Sequence, residues 1–117
     1  YQRLPSTERK ILTIMLGSLH AVIVDIRPDS PTFMHHESFR FEIGDRSSLY
    51  VPDGCATGFL TLVEDTIVHY QMSDHFQPGN YTGFRYDDPA IGVEWPYEPA
   101  VMSDRDRGFG VLDTSTL

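Results

Sequence analysis

Cysteine is nearly missing from this chain. One thiol, Cys55, stands among 117 residues, so no disulfide can form within it, and the usage suits a reducing compartment such as the cytoplasm. Long apolar runs are missing too. None approaches the roughly 20 residues that a membrane-crossing helix needs, and no signal-peptide pattern opens the chain. Bases are scarce: 9 Lys and Arg stand against 17 Asp and Glu, a formal charge of −8. That balance argues against nucleic acid or an anionic membrane as the main partner, because both require a basic face. A small anionic ligand needs only a few local donors and stays compatible. No GxGxxG or Walker phosphate loop occurs. No window shows an apolar repeat of three to four residues between caps, so helices are not expected.

What is present is β-patterned. The length suits one domain, which at this size buries roughly two-thirds of its unfolded surface. A 40% apolar and 12% aromatic content is globular. In 10–16, Leu12, Ile14 and Leu16 share a face with Lys10, and Thr13 lies opposite. The run 19–26 is almost continuously apolar, as in a strand covered on both sides. In 38–43, Phe39, Phe41 and Ile43 alternate with Arg40 and Glu42. Further strands are expected at 49–51, 58–63, 66–72, 84–86 and 91–95, with Glu64-Asp65 as a two-residue hairpin turn. Turn signals fall between them: Pro28-Asp29-Ser30-Pro31, Pro52-Asp53-Gly54, Pro78-Gly79-Asn80 and Asp87-Asp88-Pro89. About eight short strands at this spacing predict an all-β sandwich or jelly roll. A cupin-type jelly roll fits best, because it encloses a ligand cavity. The domain is expected over 1–106, with 107–117 a loosely ordered polar tail. The chain opens on Tyr1 and enters a strand by about residue 9, so it reads as a jelly roll whose N-terminal part is missing.

Several side chains could carry chemistry. His69, Tyr70 and Gln71 are polar residues within an otherwise apolar strand, the pattern of a cavity wall, since burying unpartnered polar groups costs a few kcal/mol each. Tyr70 reads either as packing with its hydroxyl at the rim or as a phenol that donates a proton. Its unperturbed pKa near 10 makes it an acid, and a poor base, at neutral pH. Lys10 reads either as a surface amine at a strand end or, turned inward, as a cation that stabilises an enolate oxygen. Asp104 and Asp106 read as a solvated loop or as a source of a carboxylate that orients an imidazole. The histidines at 20, 35, 36, 69 and 75 lack ligand spacing, so no metal is expected. Cys55, between small residues, reads as a small buried hydrophobe.

Six ordered segments resemble the dTDP-4-dehydrorhamnose 3,5-epimerase family. Tyr1-Gln2 is similar to the end of its Arg-Gly-x-His-Tyr/Phe-Gln motif. Asp25-Ile26-Arg27 with Ser30-Pro31-Thr32-Phe33 resembles its VDLR…SPTF run, and Leu49-Tyr50-Val51-Pro52-Asp53-Gly54 its LYIPEG segment. Tyr70 with Pro78, then Asp88-Pro89-Ala90-Ile91-Gly92-Val93-Glu94-Trp95-Pro96, and finally Ser103-Asp104-Arg105-Asp106 follow in order.

The resemblance implies a cofactor-independent jelly-roll homodimer acting on a 4-keto-6-deoxy sugar carried on a nucleoside diphosphate. The ketone acidifies the hydrogens on C3 and C5, because the carbanion delocalises onto oxygen. A histidine oriented by an aspartate removes the proton, a lysine stabilises the enolate, and a tyrosine returns a proton from the other face. By motif, Lys10 corresponds to that lysine, Tyr70 to that tyrosine and Asp106 to the aspartate. Gln2, Thr57 and Phe76 fall at substrate-binding positions. The base histidine would stand immediately before Tyr1. Thr57 replaces the histidine of the family's GxAHGF segment, Ala21 replaces an acid in its VxDVxVDLR pattern, and Phe76 stands where Tyr is common. These departures imply altered specificity, such as epimerisation at one carbon, or a diverged module that binds a nucleotide sugar or carbohydrate.

Overall fold

The computed structural model of the protein describes residues 1–3, 6–75 and 81–117. Its strands are β1 (Lys10–Leu16), β2 (Ser18–Asp25), β3 (His36–Glu42), β4 (Leu49–Val51), β5 (Cys55–Thr61) and β6 (Ile67–Met72). They form two antiparallel sheets, ordered β4-β1-β6 and β3-β2-β5. Alternation decides which side chains meet between the sheets. Leu12 of β1, with Leu49 and Val51 of β4, packs against Leu19 and Ala21 of β2, and Ile14, Ile23, Phe39, Phe41 and Val68 close the cluster. This is the double-sheet, jelly-roll arrangement expected of the sequence.

β2 is the centre of the molecule. It pairs with β3 on one side and β5 on the other, and both its faces are covered. Leu19 and Ala21 face the inter-sheet core, while Val22 and Val24 face a second cluster with Ile26, Ala56 and Ile91. The near-continuous apolar run is thus that of a doubly covered strand. Gly17 makes the abrupt join from β1 to β2 at φ +88°, where a Cβ would also collide with Thr66.

Three expectations are corrected. β5 and β6 do not form a hairpin: β5 pairs with β2 and β6 with β1, so the linker between them changes sheets. Leu62 N donates to Ser18 O at 2.9 Å and Thr66 Oγ1 to Val63 O at 2.8 Å, which turns the chain away from β5, and Asp65 takes a left-handed φ of 58°. Next, 84–86 and 91–95 are turns and extended loop rather than strands. Asp88, 2% exposed, organises them: its side chain accepts from Ala90 N (2.9 Å) and Leu112 N (2.7 Å), and its carbonyl from Ile91 N and Gly92 N. Those backbone donors are therefore unavailable to a ladder, and Val93 and Trp95 serve as packing on the second cluster instead. Ile43 lies beyond the end of β3 and is exposed. The single helical turn α1 (Asp104–Arg107) is capped by Ser103, and the residues after it send Leu112 and Leu117 onto the second cluster.

Candidate active site

β1 and β6 lie in register, with Leu12 opposite Tyr70 and Lys10 opposite Met72. Residues directly opposite share a face, so Lys10, Leu12, Tyr70 and Met72 all belong to the inner face. Lys10 and Tyr70 are diagonal neighbours, a relation that typically separates backbone positions by about 7–8 Å, within reach of long side chains. Tyr70 is 55% exposed, so its side chain is open to solvent although its register is inward. His69 lies opposite Thr13 and Gln71 opposite Ile11 on the outer face, and both are exposed. Of the three polar residues in β6, alternation turns only Tyr70 inward.

Lys10 is held from below. Its side chain is 16% exposed, and Nζ lies 3.3 Å from Oε1 of Glu8, whose side chain is only 4% exposed. Gln2, itself buried, donates from Nε2 to Glu8 Oε2 and, at 3.4 Å, to His75 O. Glu8 is absent from the residues singled out in the sequence. The available signal was its position: two residues before Lys10 in extended chain, it falls on the same face.

Tyr1 and Gln2 run beside residues 81–82. Gln2 bridges to Tyr81, the Tyr1 nitrogen donates to Thr82 O at 3.1 Å, and Thr82 N donates to Tyr1 O at 2.9 Å. Asp106 is positioned by α1, where its backbone N donates to Ser103 Oγ at 3.2 Å, and the neighbouring Arg105 guanidinium lies 3.7 Å above the Tyr81 ring.

A cavity of about 280 Å³ opens beside β5 and the outer face of β2, lined by Tyr1, Thr57, Tyr81, Trp95 and Asp106 among others. Lys10 and Tyr70 are not among its lining residues. The candidates therefore divide: Lys10 and Tyr70 on the inner face of β1 and β6, Asp106 on this cavity, and Thr57 bordering the cavity although its register with Ile23 gives it the inner face of β5. Thr57 stands opposite Ile23, and its Oγ1 donates to Val22 O at 3.0 Å, so the hydroxyl's proton is engaged by the sheet backbone. Ala21 is fully buried. Phe76 lies outside the described residues.

At the end of β2, Asp25 accepts from the Arg27 backbone N, Nε and a terminal nitrogen at 2.9–3.0 Å, from Ser30 Oγ at 2.5 Å, and from Thr32 Oγ1. The Arg27 guanidinium above all, with these hydroxyls, holds its carboxyl well below the usual carboxylate range. Burial pushes the Cys55 thiol up, in keeping with a packing role. Among the described residues, no three His, Cys, Asp or Glu side chains converge as a metal site would require, and no helix is long and apolar enough to cross a membrane.

Comparison with known proteins places this geometry. The family model described as dTDP-4-dehydrorhamnose 3,5-epimerase matches residues 1–114. The Mycobacterium tuberculosis dTDP-4-dehydrorhamnose 3,5-epimerase is 36% identical over 109 residues, 91% of this chain and 54% of the relative. The crystal structure of the Bacillus anthracis dTDP-4-dehydrorhamnose 3,5-epimerase with TDP and PPi bound superposes with a TM-score of 0.92 at 34% identity, covering 96% of this chain and 64% of that one. A 3′-monoepimerase from Streptomyces bikiniensis in complex with dTDP-quinovose superposes at 0.86 and 30% identity, covering 99% and 58%. The chain spans a little over half the length of the relatives it matches. The fold is a cupin-type jelly roll, and the chain belongs to the dTDP-4-dehydrorhamnose 3,5-epimerase family.

Proposed function

We propose that this chain supplies the acid–base wall of a nucleotide-sugar epimerase. The substrate is a dTDP-4-keto-6-deoxyhexose, inverted at carbons next to its 4-ketone by proton abstraction and reprotonation without a cofactor. Lys10 stabilises the enolate oxygen, Tyr70 returns the proton, and Asp106 orients an imidazole carried by the residue before Tyr1. The observation that carries this reading is the shared inner face of Lys10 and Tyr70 one diagonal step apart. A second supports it: Tyr1 and Asp106 line the same cavity. In extended chain the residue before Tyr1 falls on the face of Gln2, and Gln2 already touches the partner of Lys10. Gln2, Thr57 and Phe76 are assigned to substrate binding. The domain is taken as 1–106, the working state as a homodimer, and the compartment as the cytoplasm, which suits the unpaired Cys55.

The test uses a form extended upstream of Tyr1 so that it reads Arg-Gly-x-His at the junction. Incubated with dTDP-4-keto-6-deoxyglucose in deuterated water, it incorporates label at C3 or C5. Binding without any incorporation would overturn the reading. It would favour the second one, a nucleotide-sugar or carbohydrate-binding jelly roll, which is motivated by Thr57, engaged with Val22 O, and by the apolar Ala21.

A further inference from the structure

We infer that Glu8 is a positioning residue for Lys10: its buried carboxylate fixes the ammonium at the inner face of β1 and, through Gln2, ties it to the chain beside Tyr81. The argument begins with burial. A carboxylate whose side chain is 4% exposed costs several kcal/mol to desolvate unless it is paired. Glu8 has two side-chain partners, Lys10 Nζ at 3.3 Å and Gln2 Nε2. Buried ion pairs are poor stabilisers compared with apolar residues of the same volume, so fold stability alone is a weak reason to place one here. A lysine is a flexible four-carbon stem bearing a point charge. Left to itself it samples many rotamers, and a transition state gains most from a donor already in place.

Geometry adds a second argument. Glu8 and Lys10 are two residues apart on one face of extended chain, so the pair forms without distorting β1. Gln2 reaches the same carboxylate from a segment bridged to Tyr81, and its Nε2 also meets His75 O just beyond β6. Glu8 thereby connects the approach to β1, the segment leading from Tyr1 and the exit of β6, the three pieces of chain that bracket the amine and the phenol. The pair is close to neutral overall, so Lys10 offers an oriented N–H donor more than net positive charge to a developing oxyanion. Glu8 itself acts only through Lys10.

The catalytic part of this inference rests on the proposed function, and two measurements separate the failures. The first needs no activity. In protein labelled with ¹⁵N at lysine Nζ, Lys10 gives a slowly exchanging ammonium cross-peak at neutral pH. Glu8→Gln, which keeps the shape, abolishes it, whereas Glu8→Asp, which keeps the charge, retains a shifted one. An unchanged Lys10 peak in Glu8→Gln overturns the inference whatever the activity proves to be. Should Glu8→Gln not fold, Glu8→Asp decides, and a peak identical to the unsubstituted protein's overturns it. The second measurement is deuterium incorporation in the extended protein: Glu8→Gln lowers kcat about 10- to 100-fold with KM within about twofold, and Glu8→Asp recovers part of the loss. No incorporation by the unsubstituted protein sinks the proposed function and leaves the spectroscopic result standing. Incorporation equal in Glu8→Gln and the unsubstituted protein sinks the role of Glu8 alone.

Discussion

The two sheets have three strands each and opposite characters. In β3-β2-β5 the central strand is sealed on both faces, with Leu19, Ala21 and Val22 at 1% exposure or less. Its inward residues opposite the site, Ala21, Ile23 and Thr57, offer no ionisable group, and the Thr57 hydroxyl is bonded to the sheet itself. In β4-β1-β6, among the described residues, only the inner face is covered. Ile11, Met15 and Tyr50 stand exposed outside, and Lys10 and Tyr70 occupy inward positions that a packing strand would give to aliphatics. One wall is a packed backing, and the other presents Tyr70 and Lys10, the proposed acid and cation. Precise placement of an amine needs such a backing, because a site is only as well defined as the packing behind it.

That contrast can be broken by substitution. The largest effect is expected at Tyr70: Tyr70→Phe lowers turnover of the extended protein by about 10²–10⁴-fold with substrate affinity nearly unchanged, as steady-state kinetics beside calorimetry would reveal. A loss of affinity matching the loss of rate would demote Tyr70 to a binding contact. On the backing wall the effect is on stability instead. Leu19→Ala costs about 3 kcal/mol in urea unfolding, whereas Met15→Ala on the open face of β1 stays within about 0.5 kcal/mol. Equal costs would mean that the outer face of β1 is as covered as β2.

Asp25 sharpens the comparison at the end of β2. Its folded-state pKa is depressed, so its stabilising contribution is fully present above its ordinary value near 3.8 and is lost as the pH falls through the lower folded value. Asp25→Asn removes about 2 kcal/mol at neutral pH and flattens the acid side of the stability profile, read as the urea midpoint from pH 7 downward. An acid slope unchanged by the substitution would show that other carboxylates set it.

Much of this was legible because it is local. The alternation of Lys10, Leu12 and Ile14 gave β1 and its inward face, the unbroken run after Leu19 gave the doubly covered strand, and Pro52 stopped β4. What was not legible depended on distant partners. Glu64-Asp65 carries the signal of a tight turn whether the following strand folds back or crosses to the other sheet, and the decision lies with Ser18, far away in sequence. Val93 and Trp95 alternate like a strand, yet Asp88 binds the backbone that a ladder would need. For the site, the motifs marked Lys10 and Tyr70, and register puts them on one face. Glu8 shares the face of Lys10 by its spacing, but in a charged run beside Arg9 nothing local separates its burial from that of a surface acid.

The central claim is that chemistry belongs to the inner face of β1 and β6. Lys10 and Ile11 are adjacent in sequence and on opposite faces of the same strand, so they give the sharpest test. In the extended protein, the rate of deuterium incorporation into dTDP-4-keto-6-deoxyglucose is predicted to fall about 10²–10³-fold for Lys10→Met and to stay within about twofold for Ile11→Thr. Equal rates for the two variants would contradict the account.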